Sequence, residues 1–337
     1  MAKITLAMAT THGPQLHTTA EQWSLRVPAD RKNKHPFRGT VYSFDELVSL
    51  RRDEELEARS TMDAMRSAHS RCHDAMVQMA DRWEQAGCDI AIIFGNDQHE
   101  IYGDDLNPAF MVYYGEKICN HPRSEEGRAA LPPGIKEGEF GHATEEYTEY
   151  DGIPALGEHI IKTLMEEEFD VTASKTLPKG TSHSTGVSHA FGHIYRQVMR
   201  DKVVPNVPIY QNTFFPPNQP SAKRAYEFGR MVKKAIDSWD SDLKIGVFAS
   251  GGMSHFVIDE DFDKRFIEAL QARDKAWLTS IPLKTLQSGT SELKSWITLA
   301  GFLENEDTQM HKIDYIPCYR SPAGTGTAQG FFWWDVK

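Results

Sequence analysis

The chain has 337 residues, 40% apolar and 25% charged, which is enough to bury a large core in one α/β domain or two smaller ones. Its 48 acidic residues against 37 basic ones leave a formal charge of -11, which repels phosphate backbones and anionic lipid, so neither nucleic acid nor a membrane is an expected partner. The first apolar run is only about seven residues long, too short for a signal segment or a bilayer span. Cys72, Cys88, Cys119 and Cys318 form no C-x-x-C pair and read as free thiols, which fits a cytoplasmic protein.

In chain order, short runs rich in β-branched and aromatic residues at 4–10, 89–95, 109–114, 169–175, 207–215, 244–250, 313–319 and 330–334 predict strands. Amphipathic stretches at 53–86, 153–168, 188–200, 221–239, 262–272 and 291–300 predict helices between several of them. The alternation predicts a three-layer α/β fold: a mixed central sheet flanked by helices, forming a single domain over 1–337. Two stretches, 23–48 and 116–150, are rich in Gly, Pro and charge without a clear period. They read as surface excursions or a lid, and the large insertions are set at about 20–88 and 116–150.

Three histidines share one context. His12 follows the first strand in MATTHGP, His99 follows an apolar strand in IAIIFGNDQHE, and His255 follows another in VFASGGMSH. Open α/β sheets bind ligands at the carboxyl ends of their strands, and the Gly251-Gly252 pair permits close backbone approach beside His255. Two histidines and a carboxylate with open positions suit Fe(II), although three histidines also suit zinc. Glu292, in LQSGTSELKSW, reads from its residues alone as a helix N-terminal charge favoured by the macrodipole. His69 and His73 lie four apart on a solvated helix face without an H-E-x-x-H pattern. His189 and His193 read as packing or wall residues, and His183, in a Ser/Thr/Gly turn, as the better pocket candidate.

Taken together, T-T-H-G-P after the first strand, the N-D-x-H segment, G-G-M-S-H, and Glu followed four residues later by Trp resemble the class III extradiol ring-cleaving dioxygenases. Within that class the likeness is to the catalytic β subunit of protocatechuate 4,5-dioxygenase and to gallate and 3-O-methylgallate dioxygenases. The resemblance implies an Fe(II) cofactor on His12, His99 and Glu292, with His255 as acid/base and His183 as a second pocket histidine. It implies a catecholic small-molecule substrate and O2, ring opening with both oxygen atoms incorporated, and a homo-oligomer. In SPAGTGTAQG, where relatives place a Ser-Asn pair near the substrate carboxylate, Arg320 and Thr325 are the substitute candidates. The alternatives are a zinc-dependent hydrolase on the same ligands and a non-catalytic, metal-stabilised subunit.

Overall fold

The computed structural model describes residues 3–178 and 186–337. His183 lies outside the described residues. Nine strands build one sheet: β1 (Lys3–Thr11), β2 (Ile90–Asn96), β3 (Phe110–Tyr113), β4 (Thr172–Ser174), β5 (Asn206–Gln211), β6 (Lys244–Gly251), β7 (His255–Val257), β8 (Thr308–Tyr319) and β9 (Thr325–Val336). Their order is β7-β9-β1-β6-β2-β5-β3-β4, with β8 paired along the other edge of β9. The central strands β1, β6, β2 and β5 are parallel, whereas β9 runs antiparallel to β1 and β3 antiparallel to β5. The sheet is therefore mixed, as expected.

Two-residue alternation along the buried strands divides the core into two layers. Ala7, Ala9, Ile90, Ile92 and Phe94 face one layer, closed by α2 (Pro154–Glu166), α4 (Ala222–Ser238), α5 (Glu260–Ala272) and α6 (Leu293–Phe302). Leu6, Met8, Ala91 and Ile93 face the other, closed by α1 (Met62–Ala86) and by α3 (His189–His193) with its continuation Ile194–Val198. The helix expected over 53–86 is divided, because the Thr61 hydroxyl accepts from the Ala64 backbone N–H and caps α1 afresh. Strands β8 and β9 run longer than their apolar cores suggest. The hairpin joining them turns at Gly324, whose φ of 74° suits glycine.

Because β1, β2, β5 and β6 are parallel and in register, with Thr11 opposite Gly251 and Asn96 opposite Gln211, their carboxyl ends share one edge. The residues leaving that edge are His12, Asp97, Asn212 and Gly252. No helix among the described residues is long and apolar enough to cross a membrane.

Candidate metal centre

His12 leaves β1 buried, and a hydrogen-bond chain fixes its tautomer. Ser250 Oγ donates to the Ala190 carbonyl at 2.6 Å, so the serine oxygen accepts from His12 Nδ1, 2.9 Å away. The His12 Nε2 lone pair is thereby left facing Glu292 Oε2 at 3.1 Å. The same arrangement recurs at His189, where Nδ1 donates to Glu100 Oε2 at 2.6 Å and Nε2 lies 3.1 Å from His12 Nε2. At His255, Nδ1 donates to the Met253 carbonyl at 2.7 Å, and Nε2 lies 3.5 Å from Glu292 Oε2. Three imidazoles are thus anchored through Nδ1: His12 and His255 turn Nε2 to the Glu292 carboxylate, and His189 turns it to His12 Nε2.

Among the described residues, His12, His189 and Glu292 form the one group of three whose ligand atoms all lie within 4.8 Å of one another. The two separations of 3.1 Å match the spacing of adjacent donors, each about 2.1 Å from a common ion. These donors fit a divalent metal that accepts imidazole and carboxylate. Without a metal, burial lowers the proton affinity of His189, but the charge and hydrogen bond of Glu100 more than reverse this and raise its pKa to about 9. His189 can then donate through Nε2 to His12. Burial acts to raise Glu292, yet the His12, His255 and His189 imidazoles hold its carboxyl well below the usual range.

The loop after β2 differs from the expected arrangement. Gln98, not His99, enters the centre, its Nε2 donating to Glu292 Oε1 at 2.5 Å beside Asn96 Nδ2 at 3.2 Å. His99 adopts φ 59° and stacks on Phe215, with ring centroids 3.6 Å apart and planes 12° from parallel. The turn is set by Asp97, whose carboxylate accepts from the backbone N–H groups of Glu100, Ile101 and Tyr102. Of the ligands expected from the sequence, the structure brings His12 and Glu292 together with His189, and His99 is not in that group.

A cavity of about 320 Å³ opens over these groups, walled by His17, His142, Leu131, Ile135 and Phe256. Burial pushes both His17 and His142 down to about 3, so they line it as neutral rings. Arg320 also reaches this wall, but its guanidinium grips Asp30 through Nε–Oδ2 at 2.7 Å and Nη2–Oδ1 at 2.9 Å. Thr325 Oγ1 donates to the same Asp30 at 2.7 Å. Both substrate-anchor candidates are thus engaged by Asp30 in a buried network. Arg26 is the cavity arginine for which no ion pair within 4.0 Å occurs among the described residues. It packs on Gly134. His69 is half-buried near Trp23 and His73 is exposed, and neither lines the cavity.

The turn presenting His255 is held from below. Asp263 accepts from the Ser254 backbone N–H at 2.9 Å, the Ser254 hydroxyl at 2.6 Å and the Tyr315 hydroxyl at 2.8 Å. Burial outweighs these bonds and pushes the Asp263 carboxyl up to about 7. The folded chain therefore holds this proton more tightly than the unfolded chain. That contribution is complete below about pH 4 and is lost as pH rises through 7, costing up to about 4 kcal/mol. In metal-free protein, the stability difference between wild type and Asp263→Asn is expected to shift against wild type between pH 4 and 7.5. Urea midpoints at several pH values check this, and parallel profiles would refute it.

The family model for the catalytic LigB subunit of aromatic ring-opening dioxygenase matches residues 61–328. A gallate dioxygenase of Pseudomonas putida is 27% identical over 180 residues, 49% of this chain and 50% of the relative, so the match spans about half that relative's length. A threonylcarbamoyl-AMP synthase of Dichelobacter nodosus is 24% identical over 112 residues, 32% of this chain and 59% of that protein. An uncharacterized protein of Escherichia coli K12 superimposes with a TM-score of 0.40 at 13% identity, covering 76% of this chain and 91% of its own. The first of these matches reaches across most of the chain, His255 and Glu292 included, and on it the protein belongs to the catalytic LigB subunit family of aromatic ring-opening dioxygenases.

Proposed function

We propose that the protein is an Fe(II)-dependent extradiol dioxygenase acting on a catechol that carries an acidic group. The observation that carries this reading is the cluster beneath a ring-sized cavity in which His12 and His255 Nε2 face Glu292 Oε2 and His189 Nε2 lies 3.1 Å from His12 Nε2. His12, His189 and Glu292 would hold the metal, with His189 in the place first expected of His99. Bound Fe(II) would supply adjacent open positions where a catechol and O2 meet, and would acidify the catechol hydroxyl.

The chain's own residues supply the rest. His255 stands farther from Glu292 than His12 does, and its Nε2 serves to take a substrate hydroxyl proton and return it when the O–O bond breaks. The neutral His17 and His142 rings, with Leu131, Ile135 and Phe256, surround the aromatic ring and displace water. Arg26 is the anchor for the acidic substituent, since Arg320 is committed to Asp30. The unbridged thiols Cys72 and Cys318, 3.6 Å apart, suit a reducing cytoplasm.

The test is O2 uptake by anaerobically purified, Fe(II)-loaded protein with protocatechuate, gallate, 3-O-methylgallate and catechol. One O2 consumed per ring opened is expected for at least one acid, whereas Fe(II) binding without uptake on any of them counts against the reading. Arg26→Ala is expected to raise KM for the preferred acid about 10- to 100-fold, the worth of a charge-assisted hydrogen bond, with little change for catechol. An equal effect on both substrates would remove Arg26 from the role.

A further inference from the structure

Glu100 is a buried carboxylate that is not itself one of the grouped metal donors. Its Oε2 accepts from His189 Nδ1 at 2.6 Å, and its Oε1 accepts from the His189 backbone N–H at 3.0 Å. One side chain therefore grips both the ring of His189 and the backbone that begins α3, across 89 residues of sequence. Arg123 Nη2 stands 3.6 Å from Oε1. The position of Glu100 is itself set, because Asp97 accepts from its backbone N–H and from those of the next two residues. Helix α3 is only five residues long before it passes into Ile194–Val198, and its N-cap residue Ser188 makes no side-chain cap. Helix geometry by itself therefore does little to orient His189, and the carboxylate decides which nitrogen carries the proton and where the other one aims.

We propose that Glu100 is the positioning residue that makes His189 a metal ligand, so that the loop after β2 serves the metal indirectly through α3. This inference rests on the metal-binding reading given above. It assigns a use to the acidic end of the N-D-Q-H-E segment, whose histidine faces Phe215 instead of the metal donors.

The experiment is anaerobic Fe(II) equilibrium dialysis of wild type, Glu100→Ala, Glu100→Gln, His189→Ala and the Glu100→Ala/His189→Ala double variant, each checked for fold by circular dichroism. Glu100→Ala is expected to weaken Fe(II) binding about 10- to 100-fold, as loss of an orienting carboxylate does. Glu100→Gln keeps an oxygen acceptor for Nδ1 and is expected to lose several-fold, so it carries the test if the alanine variant does not fold. In the double variant the loss is expected to equal that of His189→Ala alone, since Glu100 acts through that ring. Wild-type affinity in both Glu100 variants, or additive losses in the double variant, overturns the proposal and leaves the ligand set standing. Wild-type affinity in His189→Ala overturns the ligand set itself.

Discussion

Glu292→Ala is expected to lose Fe(II) binding by two to three orders of magnitude, since each ligand contributes roughly 3 kcal/mol when a buried site's total is divided among its donors. Glu292 is the point on which the site converges. Its Oε2 meets His12 and His255, and its Oε1 accepts from Asn96 and Gln98. Deleting the side chain also strands the two amides, so the isosteric Glu292→Gln is the cleaner companion. Its amide oxygen can still accept from Asn96 and Gln98, and its NH2 can donate to His12 Nε2, giving a folded protein without the anionic donor. Anaerobic dialysis measures the affinity directly. Thermal midpoints with and without Fe(II) provide a second readout, because a ligand that binds only the folded state raises the midpoint. Wild type should show that rise and both variants should not. An iron-dependent rise of wild-type size in Glu292→Gln would place the metal elsewhere.

How much of this was legible beforehand differs from residue to residue. His12 and His255 could be read because each follows a buried strand whose carboxyl end must lie on the ligand-binding edge of a parallel sheet. Glu292 could not be distinguished by its own neighbours from a helix-terminal charge, and only the resemblance singled it out. The loop after β2 could not be resolved to a single residue from the sequence. Strand alternation ends at Asn96, and beyond it the Asp97 turn decides direction, with φ 59° carrying His99 onto Phe215 and leaving Gln98 to face Glu292. His189 was legible as a helical partner of His193. Which layer α3 joins is a tertiary fact, settled by the packing of Ala190 and Phe191 beneath β2 and β6. Arg320 was a fair anchor by sequence, but its partner Asp30 is 290 residues away, beyond any local pattern.

His255→Ala is expected to retain Fe(II) to within a few-fold while turnover falls about 10²- to 10⁴-fold, the usual worth of a positioned acid/base. The geometry separates it from the ligands. Its Nε2 is 3.5 Å from Glu292 Oε2 against 3.1 Å for His12, and it is not in the group of three with mutually close donor atoms. Its ring is also closely bounded. A Cβ added at Gly252 or Gly289 would collide with it, and Thr290 Oγ1 both accepts from the His255 backbone N–H and donates to its carbonyl. Gly289→Ala should therefore displace the imidazole without removing it, giving a smaller fall in turnover with KM less affected. Turnover and KM of the two variants, measured side by side, check this. Were His255→Ala to lose its iron together with its activity, the division between ligand and acid/base would have to be redrawn, with His255 taken into the metal set.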